Sequence, residues 1–225
     1  MLENALVISL VIAGIAIFAI IALSTGLVSR SSLFDTSEEE SWTEPIFYGL
    51  AIVAALAFFS WFNLRLTGTP LVLEMNVTGA IVPILVSSYL VVHVRAGWRS
   101  YLIATLAVTG LASLLTQMTV EGVHIPIISW ILIVAVCAGL SYVLTHGQLR
   151  SALAVAYFSA TMGMLFGGDV FQLAGSSTYY GPFVIGVGGI MDFVFLTGVM
   201  SVALIVVSHH LMEFVSSHRP AKHGS

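Results

Sequence analysis

Charge is what this sequence has least of. Only 8% of its 225 residues are charged and seven are Lys or Arg, against about 25% charged residues in ordinary soluble domains. So little polar surface cannot solvate a globular domain beside the hydrophobic part, which excludes a tethered soluble catalytic domain. The formal net charge is -4, so the basic footprint of nucleic-acid binding is missing and DNA and RNA are excluded as partners. The single cysteine, Cys137, sits inside an apolar run, and neither an intrachain disulfide nor a cysteine-based metal site can be built from it. The one lysine is Lys222, in the polar tail, so a retinal Schiff base has no amine inside a bundle. His209 and His210 are adjacent and do not share a helical face. No metal site and no cofactor is expected, and any chemistry falls to carboxylates, hydroxyls or histidines.

What is present is hydrophobicity: 58% of the residues are apolar and the mean hydropathy is +1.04. A spanning helix needs about 20 mostly apolar residues, and seven stretches qualify: 5–28, 45–64, 77–94, 100–118, 125–145, 151–173 and 181–208. The expected fold is all-α, a polytopic transmembrane bundle of about seven helices forming one integral membrane domain over residues 1–225 of a cell membrane protein, with lipid as its partner. The first stretch lacks the basic start and small-residue cleavage site of a removable signal, so it reads as a retained helix. Between the first two stretches, 29–44 carries Arg30, Asp35, Glu38, Glu39, Glu40 and Glu44 and reads as a solvated acidic loop. Residues 209–225 form a polar tail. On this threading Arg30, Arg95, Arg99, Arg150, Arg219 and Lys222 collect on one side and Arg65 alone on the other. The positive-inside rule then puts the N-terminus outside and the C-terminus in the cytoplasm. The segment before the third stretch holds Pro70, Glu74, Asn76 and Gly79 and suggests a re-entrant or broken start of the kind that lines cavities.

Three acids fall where this topology offers no loop: Glu74, Asp169 and Asp192. A carboxylate in hydrocarbon costs about 2.5 to 3.5 kcal/mol on insertion scales, so such acids are functional candidates. Asp192 is expected eleven residues into the last stretch, about 16 Å along a helix. Gly188 and Gly189 precede it by four and three residues, which on a helix bares the face beside the carboxylate. Gly167 and Gly168 stand just before Asp169 and weaken the helix there. All three acids point to the outer half of the bilayer, with Asn76 beside Glu74 as a further binding candidate.

Gly189-Ile-Met-Asp192-Phe-Val-Phe-Leu-Thr197 resembles the second catalytic motif of the presenilin and signal-peptide-peptidase group, a Gly-x-Gly-Asp followed by an aromatic-rich helix, with Met191 in place of the second glycine. That group carries its first aspartate on the preceding helix, the position of Asp169 in Phe166-Gly-Gly-Asp169-Val-Phe-Gln-Leu173. The group's Pro-Ala-Leu segment has its nearest counterpart in Val82-Pro83-Ile84, at a different place in chain order. A resemblance covering roughly residues 70–200 is carried by Met75-Asn-Val-Thr-Gly-Ala-Ile-Val-Pro83 with Tyr89-Leu90, by Gly163 to Leu173 and by Gly188 to Gly198. Together these look like the DUF1614 family of prokaryotic polytopic membrane proteins, a name that carries no activity.

The presenilin resemblance implies an intramembrane aspartic peptidase in which Asp169 and Asp192 share a proton and cut transmembrane peptides. On unbroken helices ending near Leu173 and starting near Pro182, the two would lie about 9 Å apart in depth, and only a break at Gly167 and Gly168 would bring them together. The alternatives are an ion- or proton-coupled transporter in which Glu74, Asp169 and Asp192 bind a cation or carry protons, or a non-catalytic assembly subunit; Glu74, Asn76, Gly167, Gly168, Gly188, Gly189 and Pro83 are the candidates for binding substrate or ion. Trp42, Trp61, Trp98 and Trp130 fall near helix ends, as interfacial anchors do. The topology is directly testable: a cysteine introduced at Ser37 should resist an impermeant thiol reagent on intact cells, and labelling there would reverse the orientation.

Overall fold

The computed structural model describes residues 54–67, 72–119, 122–175 and 183–217. The expected helix 5–28, the acidic loop 29–44, residues 45–53 and the tail beyond 217 lie outside the described residues. Within them, four helices are long and apolar enough to cross a membrane. They are α2 (Trp98–Leu115), α3 (Ile127–Leu144), α4 (Leu149–Met164) with its continuation, and α6 (Phe193–Ser217). A shorter apolar helix precedes them, a π-helical turn Val77–Ile81 running into α1 (Val82–His93) with Pro83 at the junction of the two, where its missing N–H interrupts the helical ladder. After α4 the chain winds through a second π-helical segment, Leu165–Val170, into α5 (Phe171–Gly175).

The centre of the bundle is α4, which packs against α1, α2, α3 and α6. Of its most apolar window 61% is buried, against 28% for α2 and for α3. The reason lies in side-chain size. Ala152, Ala154, Ala156, Ser159, Ala160 and Gly163 are buried along it, and small residues let neighbouring backbones approach where lipid supplies no hydrophobic drive for association. Large apolar side chains such as Leu85, Val92, Leu106, Leu114 and Ile128 are exposed on the outside instead, the distribution of a helical membrane-like protein. Short connections reverse the chain after α1 and α3, so Arg95, Arg99 and Arg150 collect at one end of the bundle.

The opposite end is not helical, and here the all-α expectation is corrected. β1 (Asn63–Arg65), β2 (Leu73–Asn76) and β5 (Phe183–Ile185) form a three-stranded sheet in the order β1-β2-β5, with β1 antiparallel and β5 parallel to β2. β3 (Gln117–Thr119) and β4 (Gly122–His124) form a hairpin. The stretch 45–64 therefore ends early: residues 54–59 are helical, a turn follows, and β1 begins at Asn63. The stretch 181–208 starts late, at Phe193, because Phe183–Ile185 is a strand and Gly189–Met191 a single 3₁₀ turn. Hydropathy alone cannot separate a short apolar strand from a helix. Residues 73–81 are a strand and a π turn rather than a re-entrant helix.

Two glycines lock this sheet to the bundle. A Cβ on Gly79 would stand 2.1 Å from the carbonyl oxygen of Gly186, and Gly186 itself has φ +75°, a conformation open to glycine. The π turn before α1 and the turn after β5 thus cross backbone to backbone. Gly79→Ala should lower stability by about 1 to 3 kcal/mol through overpacking. Gly110→Ala, on α2 with open space around its Cβ, should leave it unchanged or slightly raised, as thermal unfolding of the purified variants would show.

Candidate functional site

Asn76 organises the non-helical end. Its Oδ1 accepts from the backbone N–H of Thr78 and Gly79, capping the π turn, at 3.0 and 2.9 Å. Its Nδ2 donates to Ser60 O and to Asn63 Oδ1 at 2.7 and 2.9 Å. The side chain, expected as a ligand, has its hydrogen-bonding capacity taken up by the chain. Glu74 is the cross-strand neighbour of Arg65 in the sheet, and Pro83 is buried in the first turn of α1. None of these three lines the cavity described next.

A cavity of about 160 Å³ opens between the end of α2, the π segment after α4, the turn after β5 and the start of α6, and both Asp169 and Asp192 line it. The separation of about 9 Å in depth expected for unbroken helices rested on Asp192 standing deep in a helix. It does not. Asp192 has extended backbone (φ -67°, ψ 141°) between the 3₁₀ turn and α6, and its Oδ1 accepts from Val194 N at 2.8 Å. That is the geometry of an N-cap. A weaker bond brings Gly188 N to Oδ2 at 3.4 Å. Asp169, for its part, sits in the π segment, a rare geometry that is frequent at functional sites, and its Oδ2 is buried with no hydrogen-bond partner among the described residues.

The glycines divide by role. Gly188 and Gly189 do not share a helical face with Asp192, because the chain there is a turn, and Gly189 has φ +59° with its Cβ position 2.5 Å from Ser60 Cβ. Gly167 is a packing residue whose Cβ would meet Thr109 O at 2.3 Å. Among the described glycines, Gly168 and Gly186 line the cavity.

Other residues went unread in the sequence. Thr116, just beyond α2, is buried and lines the cavity, and its Oγ1 has no hydrogen-bond partner among the described residues. Gln172 Nε2 donates to Ser113 O and Thr116 O at 3.1 and 3.2 Å, pinning the end of α2 to α5. Trp130, expected as an interfacial anchor, is half-buried, and its Nε1 donates to Thr197 Oγ1 at 2.8 Å, tying α3 to the first turns of α6. Trp61 and Trp98 are exposed; Trp42 lies outside the described residues. The polar pair Thr116-Gln117 at the end of an apolar run was the one available signal for Thr116. At the other end of the molecule His209 and His210 both contact Glu213, at 3.3 and 3.2 Å.

A family model described as "Protein of unknown function (DUF1614)" matches residues 36–204. No curated protein and no solved structure matches the chain. The cap geometry makes its own forecast. Asp192→Ala should cost about 0.5 to 2 kcal/mol by uncapping α6, whereas Asp192→Asn, which still offers an oxygen to Val194 N, should unfold within a few degrees of the wild type in detergent.

Proposed function

The chain belongs to the DUF1614 family, a name that carries no activity, and from the geometry of its own residues we propose that it is a membrane-embedded aspartic peptidase whose reacting groups are Asp169 and Asp192. One observation carries the reading: two acids 23 positions apart in sequence, on either side of a strand and two turns, line a single cavity. Like-charged carboxylates brought together hold one proton between them. The ionised member takes a proton from water as the C–O bond forms at the scissile carbonyl carbon, while the protonated member donates to the carbonyl oxygen. Collapse of the tetrahedral intermediate breaks the C–N bond, and the proton taken from water leaves on the amine. The division of labour follows from the contacts: Asp192 is held by backbone N–H groups, and Asp169 offers the unpartnered oxygen.

In this proposal Arg95, Arg99 and Arg150 mark the cytoplasmic end, the cavity faces the outer half of the plasma membrane, and the substrate is a transmembrane peptide unwound at the cleavage point. The same open oxygen of Asp169 also favours a second reading, ion or proton translocation, and the assay separates the two. Wild-type protein reconstituted in vesicles with a library of transmembrane peptides should release cleaved products. Asp169→Asn and Asp192→Asn should each abolish cleavage with the fold retained, and the double variant should lose no more than either single one, as residues acting as a unit do. Intact peptides together with carboxylate-dependent ion uptake would replace the peptidase with a transporter.

A further inference from the structure

Two residues that line one cavity each carry a buried polar atom with no hydrogen-bond partner among the described residues: Thr116 Oγ1 and Asp169 Oδ2. Thr116 is only 5% exposed. A buried hydroxyl or carboxylate oxygen left unpaired carries the whole cost of its desolvation, so orphaned atoms of this kind call for a shared third partner. Their chemistry is complementary for that purpose, since the hydroxyl can donate or accept while an ionised carboxylate accepts.

The position of Thr116 is fixed rather than incidental. Its own N–H bonds Ala112 O at 2.9 Å as the last turn of α2 closes. Its carbonyl is held by Gln172, three residues after Asp169 on the same continuous helical path. Gly168, next to Asp169, lines the same cavity and lies close to Thr116: a Cβ there would stand 3.9 Å from Thr116 Oγ1. The cavity, about 160 Å³, is roomy for a water molecule, whose share of liquid volume is about 30 Å³. We propose that Thr116 Oγ1 and Asp169 Oδ2 together hold a water molecule, and that Thr116 is the positioning residue for the water consumed in the hydrolysis proposed above. The second half of this statement rests on the peptidase reading; the first half does not.

The test is a cycle of four proteins: wild type, Thr116→Val, Asp169→Asn and the double variant, with Thr116→Ser as the conservative control. Replacing an isolated, unsatisfied hydroxyl by a methyl of the same shape leaves stability unchanged or raises it. If the hydroxyl holds water with Asp169, Thr116→Val instead lowers Tm, by about 2 to 4 °C. Thr116→Ser then stays closer to the wild type, and Thr116→Val has a smaller effect in the Asp169→Asn background, because the two positions share one partner. In the peptide assay Thr116→Val should lower kcat by about tenfold with KM unchanged, and Thr116→Ser should restore it. An unchanged or raised Tm for Thr116→Val, additive with Asp169→Asn, overturns the proposal. So does a wild-type Tm that rises with sodium chloride and not with choline chloride, which would put a cation in place of the water. A wild type that cleaves no peptide removes the peptidase reading alone, and the Tm cycle still decides whether Thr116 and Asp169 share a ligand.

Discussion

A crossing with no room for side chains, Gly79 against Gly186, fixes where the last helix can begin. β5 pairs with β2 through Leu73↔Phe183 and Met75↔Ile185, and the chain turns immediately afterwards onto the π turn that opens α1. With the turn trapped there, the 3₁₀ turn Gly189–Met191 is spent against Ser60, and Asp192 falls at the first position from which a helix can run. Helix α6 then descends along α4, close-packed because Gly198 admits Tyr157 and Thr161. The placement of Asp192 beside Asp169 is a consequence of this chain of contacts, and it is local packing that produces it rather than any attraction between the two acids, whose charges oppose it.

Non-helical backbone inside a membrane-like fold carries a cost, since each unpaired N–H or C=O away from water loses its partner. The molecule meets it with short strands and side-chain caps confined to one end. Asn76 takes two N–H groups of the π turn and donates to residues 60 and 63. Thr78 Oγ1 donates to Leu56 O at 2.9 Å, Gln172 closes the last carbonyls of α2, and Asp192 caps α6. Four polar side chains that hydropathy reads as blemishes in apolar runs are thus the fastenings of the cavity wall. The same logic leaves Thr116 Oγ1 and Asp169 Oδ2 conspicuous, for neither has a hydrogen-bond partner among the described residues.

The spanning helices were legible because length and hydropathy determine them: 100–118, 125–145 and 151–173 appear as Trp98–Leu115, Ile127–Leu144 and Leu149–Met164 with its π and α5 extension. The two aspartates were legible by the cost of a carboxylate among apolar residues. What was hidden is register. Phe183–Ile185 and Phe193–Phe195 are equally apolar, yet one is a strand and the other a helix start, and the difference is decided by pairing with β2, a contact about 110 residues distant in sequence that no local pattern encodes. That one misreading accounts for the expected depth gap between Asp169 and Asp192. Gly167 shows the converse: a glycine beside an acid invites a functional reading, and its closest neighbour is the backbone of α2.

Asp192 illustrates how position and chemistry become inseparable at such a site. As a cap, it must accept hydrogen bonds from Val194 and Gly188, and the positive end of the α6 dipole favours a negative charge there. Asp192 also lines the same cavity as Asp169, which is what the proposed peptidase requires of it. An N-cap has one backbone conformation and a narrow choice of rotamer, so the helix start orients the carboxylate without any dedicated supporting shell. Asp169 has the opposite arrangement: it sits in the π segment, whose hydrogen bonds reach one residue further than those of the α-helix before it, and one of its oxygens is uncommitted among the described residues. One carboxylate is anchored and the other is open. The two carboxylates are therefore unequal in their surroundings, and in the proposed peptidase that inequality is what lets one member hold a proton while the other receives one.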